Sequence, residues 1–297
     1  MVNNSIAFAR FHPVSLFCYY AILLVFTMFS QNPVLVASAL FGSLLFCLFT
    51  GKARENLADA KFYIPMFFLV ALTNPLFAHG GATPLFFMND NPVTLEALLA
   101  GVSLAAAVTA VMLAFKGFSR VMESDKLLAL FGKASPKLAA VLSLSLRLIP
   151  LFKRKWRELC GVHKAMGYFR NESYFSRLSS YARVFSALVS WALENAADTA
   201  ASMCARGFEL EGKRGFSLFR FTRADGALIG ASLALAAPVL AGFAMGKADF
   251  WFYPRISALS ADVFSLIMYV SFLIFSLLPF IFEVKEALKW KYLRSKI

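Results

Sequence analysis

A chain of 297 residues that is 59% hydrophobic and only 16% charged carries more apolar and less charged matter than soluble domains do. Its 33 phenylalanines would overfill one or two water-surrounded cores, whereas lipid-facing helices accept them without packing demands. The formal net charge of +13 would suit a polyanion, but Lys and Arg border the apolar runs, the arrangement of loops beside anionic lipid, which argues against nucleic acid as a partner.

Apolar runs at roughly 14–30, 34–50, 62–78, 95–115, 226–246 and 261–282 each approach the ~20 helical residues that cross a ~30 Å hydrocarbon core. They predict an all-α polytopic membrane protein of about six spans, with four in residues 1–115 and two in 226–297. The first three runs are short, near 17 residues, so each can thin the bilayer or pack as a half-buried helix. The first run has one preceding Arg and no small-residue cleavage site, so it is expected to be retained and not cleaved as a signal.

Lys and Arg alternate between connections. The Gln31-Asn32-Pro33 turn has none, residues 51–61 three, residues 79–94 none, residues 116–225 nineteen, residues 247–260 two and the tail from 283 five. The positive-inside rule then puts both termini and residues 116–225 in the cytoplasm of a prokaryotic plasma membrane. The loop at 79–94, with His79-Gly80-Gly81 and Asn89-Asp90-Asn91-Pro92, reads as polar and turn-rich.

Residues 116–225 are too many for a connector, and their pattern is helical. Ser124 is expected to cap a short helix that Gly132 ends, and Ser135-Pro136 to start a long one. That helix passes from Leu138, Val141, Leu142 and Ile149 to Lys153, Arg154, Lys155, Arg157 and Lys164, and Pro150 at the change is expected to bend it. Asn171 and Ser173 offer caps for a second long helix reaching Ala205. On it Ala192, Ala196, Ala200 and Cys204 form a small-residue face that another helix can approach closely, predicting a helix crossing. Glu194 and Asp198 lie on a polar ridge with Ser190 and Ser202, available either to solvent or to the basic half of the preceding helix.

Catalytic and metal motifs are weak. Gly207 to Lys213 has the glycine and lysine spacing of a phosphate loop, but Arg214 replaces the magnesium-binding hydroxyl, Glu209 and Glu211 would face the anion, and a helix precedes it instead of a strand. The chain is therefore expected to bind no nucleotide or cofactor itself. Cys18, Cys47, Cys160 and Cys204 lack CxxC spacing, His12, His79 and His163 are scattered, and Asp59, Asp90, Asp249 and Asp262 are isolated. No catalytic or metal constellation emerges. The two helix ends Ala165-Met166-Gly167 and Ala205-Arg206-Gly207 say more: each glycine can take the left-handed terminating conformation, and Lys164 and Arg206 favour the negative end of the helix dipole. Two long helices ending alike suggest equivalent docking tips for a two-part partner.

The run LSLSLRLIP (Leu142 to Pro150), the basic helix leading to Ala165-Met166-Gly167 and the helix ending Ala-Ser-Met-Cys-Ala-Arg-Gly-Phe resemble the transmembrane T component of energy-coupling factor (ECF) transporters. His12-Pro13, Thr73-Asn74-Pro75 and the Ser124 helix are similar in placement. The resemblance implies a non-catalytic subunit whose two helix tips dock on two ABC-type ATPase subunits, which carry the ATP and magnesium. Its membrane part would hold a small substrate-capturing S component, for import of a vitamin or of cobalt or nickel ions. Ala205, Arg206 and Gly207 match the second tip fully, whereas Met166 stands where the first tip of that family has Arg. A self-sufficient secondary carrier and an integral membrane enzyme are the alternatives, and neither an inverted repeat nor a cluster of intramembrane polar groups is evident for them.

Overall fold

The computed structural model describes residues 6–78, 80–88, 91–134, 136–169, 174–208, 219–260 and 262–295. Its elements in chain order are a 3-10 turn Phe8–Arg10, α1 Pro13–Phe29, α2 Pro33–Thr50, α3 Ala53–Phe77, β1 Pro84–Met88, β2 Asn91–Thr94, α4 Leu95–Val121, α5 Ser124–Ala134, α6 Pro136–Ala165, α7 Tyr174–Ala205, α8 Arg223–Ala244 and α9 Val263–Arg294. The chain divides into two compact units: residues 1–127 with 219–297, and residues 128–218. The four N-terminal and two C-terminal apolar helices thus share one unit instead of forming separate segments, and the other unit is narrower than the expected 116–225.

Among the described residues five helices are long and apolar enough to cross a membrane: α2, α3, α4, α8 and α9. The sixth, α1, has 17 residues. Proline begins α1 and α2 because the first helical position donates no intrahelical bond, and the residues before them supply the caps. His12 Nδ1 accepts from Val14 N at 3.2 Å, and Asn32 Oδ1 accepts from Val34 N at 3.1 Å while Asn32 Nδ2 donates to the Tyr269 hydroxyl at 3.0 Å.

Three helices run beyond their expected limits. α3 starts at Ala53, nine residues before the apolar run at 62, α4 continues past 115 to Val121, and α9 continues past 282 into the basic tail. Five of the charged side chains there have ion-pair partners on other elements. Lys116 of α4 pairs with Asp59, Arg120 with Glu55 at 3.4 Å, and Glu286 of α9 with Arg10 at 2.9 Å. The 79–94 segment is not purely a loop, since β1 and β2 pair antiparallel from Pro84↔Thr94 to Met88↔Asn91; His79, Asn89 and Asp90 lie outside the described residues. Thr83 Oγ1 donates to Glu96 at 2.7 Å, tying the hairpin to the start of α4.

The core of this unit gathers around the segment before α1. Phe8 is fully buried and meets the rings of Tyr19, Tyr20, Phe46 and Phe282 edge-on or tilted at 5.6–6.4 Å. Its backbone is gripped as well: Phe8 N donates to Glu283 at 2.9 Å, Lys126 Nζ donates to Ala9 O at 2.5 Å and to Val121 O at 2.8 Å, and His12 N donates to Asp225 at 2.6 Å. These bonds satisfy polar groups that would otherwise be buried unpaired, and they fasten the beginnings or ends of α1, α4, α5, α8 and α9 to one strap. Burial lowers the Lys126 pKa below its ordinary value, while Glu123 pulls the other way. Elsewhere α2 and α9 approach through small residues: Ser276 Oγ donates to Ser38 O at 2.9 Å, and a Cβ on Gly42 would lie 2.5 Å from Ser276 O.

Candidate functional site

The residue 128–218 unit consists of the end of α5 with α6 and α7. α5 begins with Ser124 itself, Glu123 O accepting from Lys126 N and Leu127 N, and it runs through Gly132 to Ala134. Gly132 is therefore not its end. α6 starts at Pro136 as expected and continues through Pro150 to Ala165. Asn171 and Ser173, the expected caps of α7, lie outside the described residues, as does the segment from Glu209 to Arg214.

Contacts descend α6 as they ascend α7, so the two helices run antiparallel. At the end of α6, Tyr168 O accepts from Ser180 Oγ at 2.7 Å. Trp156 then stacks on Tyr181 at 6.3 Å, and Phe152 meets Trp191 edge-on at 6.0 Å with the Lys155 ammonium 5.7 Å from the Trp191 ring. Val184 is fully buried. The packing of α6 on α7 is thus aromatic, and the small-residue face does not make it: Ala196, Ala200 and Cys204 are exposed and Ala192 is half-buried. That face remains open to some other helix. Glu194 and Asp198 are exposed too, and among the described residues neither forms an ion pair with α6; Lys155 pairs instead with Glu158 of its own helix at 3.1 Å.

The two tips have the same backbone geometry. At the end of α6, Gly167 takes φ +83°, Gly167 N donates to Lys164 O at 3.1 Å and Tyr168 N to His163 O at 3.1 Å. At the end of α7, Gly207 takes φ +73°, Gly207 N donates to Cys204 O at 2.8 Å and Phe208 N to Met203 O at 3.0 Å. Both are Schellman motifs, in which a left-handed residue lets two amides fold back onto the last carbonyls; Gly is suited because it has no Cβ to clash. Met166 and Arg206 occupy the same position, just before the left-handed glycine, and both are exposed, as are Lys164, Ala165 and Ala205.

An aromatic residue follows each glycine, Tyr168 in one tip and Phe208 in the other, and both are exposed. The tripeptide reading missed them, although a ring directly after each terminating glycine is visible in the sequence. At the first tip the Tyr168 ring lies 5.5 Å from His163 and 5.1 Å from the Arg183 guanidinium.

The tips stand well apart. Tyr168 is hydrogen-bonded to Ser180, and the 26 residues of unbroken helix from Ser180 to Ala205 span about 39 Å at 1.5 Å per residue. Such a separation exceeds the ~30 Å diameter of a small domain, so one groove of a small partner cannot receive both ends. In each glycine turn two amides already bond the last carbonyls of the helix, and Met166 and Arg206 are exposed beside them.

Among the described residues no group of three or more His, Cys, Asp or Glu could hold a metal ion. No protein-family model matches the chain, and no curated protein matches it. Its helices and composition define a multi-pass α-helical membrane protein.

Proposed function

We propose that this chain is the energy-coupling membrane subunit of an ATP-driven uptake transporter of the ECF type. The observation that carries the reading is the pair of identically terminated helices, each presenting an exposed residue, Met166 or Arg206, before a left-handed glycine, about 39 Å apart along α7. Two ABC-type ATPase subunits side by side would each receive one tip. Closure of those subunits on ATP would move the two tips relative to each other, α6 pivoting on α7 about the Trp156–Tyr181 and Phe152–Trp191 contacts, and the pair would pass that motion to the membrane helices.

In this reading both termini and residues 116–225 face the cytoplasm, and the membrane unit holds a small substrate-capturing S component that delivers a vitamin or a cobalt or nickel ion. The chain contributes no catalytic group; ATP and magnesium stay with the ATPases. Arg206 meets an acidic groove residue, whereas Met166 makes an apolar contact, so the two docking sites differ in character. Affinity purification of the full chain in mild detergent, followed by mass spectrometry, tests the assignment. It should recover two nucleotide-binding subunits and one small hydrophobic protein; recovery of the chain alone, with substrate turnover or transport by that chain, would overturn it.

A further inference from the structure

α3 packs along α4 and touches α2 only slightly, because its close approach is confined to α4: a Cβ on Gly101 would lie 2.4 Å from Ala71 O, and Asn74 donates to Ala97 O at 3.3 Å. A cleft of about 350 Å³ is left between α2, α3 and α4, within reach of the ~300–1,000 Å³ of ligand pockets. Its walls are apolar, with Leu40, Leu44 and Leu48 on α2 facing Tyr63, Phe67 and Phe68 on α3. From Asn56 to Phe68 the cleft follows α3 for 13 residues, about 18 Å, against the ~15 Å that one leaflet contributes to the hydrocarbon core.

One end of the cleft is polar and the other is not. Asn56 and Asp59 line the polar end, where Asp59 pairs with Lys116 and Glu55 with Arg120. Lys52, Arg54 and Lys61 surround the same end of α3, are exposed, and form no ion pair among the described residues. Five cations, none of them lining the cleft itself, therefore stand against two carboxylates around the polar end of an apolar slot as long as one leaflet is deep.

We infer that the cleft between α2 and α3 is a binding site for one anionic phospholipid, an acyl chain lying between the leucines of α2 and the aromatic residues of α3 and the headgroup at the Lys52, Arg54 and Lys61 end. The chain replaces side-chain packing that α2 and α3 do not make with each other, and the surplus positive charge selects the headgroup. This site needs only the membrane setting of the protein and is independent of the coupling function.

The test is reconstitution of the full chain into nanodiscs of equal phosphatidylglycerol and phosphatidylcholine, followed by native mass spectrometry of the released protein. One retained phosphatidylglycerol is expected, preferred over phosphatidylcholine by at least about fivefold, the weight of a single cation near anionic lipid. Ala60→Trp, which fills the cleft from the α3 side, should abolish retention, with Leu44→Trp as the equivalent from α2 if the first fails to fold. The combined change Lys52→Glu, Arg54→Glu and Lys61→Glu should keep one lipid bound but remove the headgroup preference. A wild-type chain that retains no lipid, or both lipids equally, overturns the inference, as does undiminished retention by a folded tryptophan variant. ATPase binding by the tryptophan variant should be unchanged, so failure here and failure of the coupling reading are separable.

Discussion

Arg206→Glu separates a docking residue from a structural one. Within the chain Arg206 is exposed and forms no ion pair among the described residues, so its loss removes no internal contact. An acidic side chain at the negative end of α7 adds a helix-dipole penalty of about 0.3–1 kcal/mol, and the melting temperature of the purified chain should barely move. Docked into an acidic groove, the same change removes one partner of a desolvated pair and puts like charges together, costing about 3–5 kcal/mol. At about 1.4 kcal/mol per decade that is a loss of roughly two to three and a half orders of magnitude in affinity. The assay is titration of the two ATPase subunits onto nanodisc-embedded chain, wild type and variant, with thermal unfolding as the control. Wild-type affinity in the variant, or a large fall in its stability without partners, would refute the argument.

Glycine at the first tip and glycine inside α6 should respond with opposite signs. Neither has an atom within 4 Å of a Cβ position, so Gly167→Ala pays for its φ of +83°, about 1 kcal/mol, and should speed hydrogen exchange at Tyr168, while Gly161→Ala should slow exchange in α6 by about 0.5–1 kcal/mol. Ala200→Leu should leave the melting temperature unchanged because Ala200 is exposed, yet lower the ratio of uptake to ATP hydrolysis in the assembled transporter; an unchanged ratio would mean that no partner helix uses that face. Gly42→Ala places a Cβ 2.5 Å from Ser276 O, so it should destabilise the membrane unit by about 1–3 kcal/mol, seen as a lower unfolding midpoint in detergent, and an unshifted midpoint would show that α2 and α9 are not so tightly apposed.

The membrane helices were legible because hydropathy acts locally: each apolar run overlaps one helix over most of its length. Their limits were less so. α3 begins nine residues early, where Asp59 and Glu55 find Lys116 and Arg120 on a different helix, and α9 extends into the basic tail, where Glu283 and Glu286 find Phe8 N and Arg10, some 275 residues away in the chain. No local pattern marks such pairs. The strap at Phe8–His12 was hidden for the same reason, since a lone Phe before a span gives no sign that several helices converge on it. The two tips were legible down to their backbone, since a glycine after Lys164-Ala165-Met166 and after Cys204-Ala205-Arg206 can take the left-handed conformation that stops a helix, whereas Gly132, read the same way, lies inside α5. The face joining α6 to α7 was not read from the sequence: Trp156, Tyr181, Phe152 and Trp191 form it, each scattered along its helix and burying more area per contact than small residues do.

Energy coupling through α6 and α7 requires the two tips to move with nucleotide. Spin labels at Cys204 and at Lys164→Cys, with Cys18, Cys47 and Cys160 replaced by Ser, would report the tip separation by double electron–electron resonance in the complex with the ATPase subunits. A distance near the ~39 Å set by α7, shifting when ADP is exchanged for a non-hydrolysable ATP analogue and returning on washout, is the expected result. A distance distribution indifferent to nucleotide in a complex that hydrolyses ATP and transports would contradict the account.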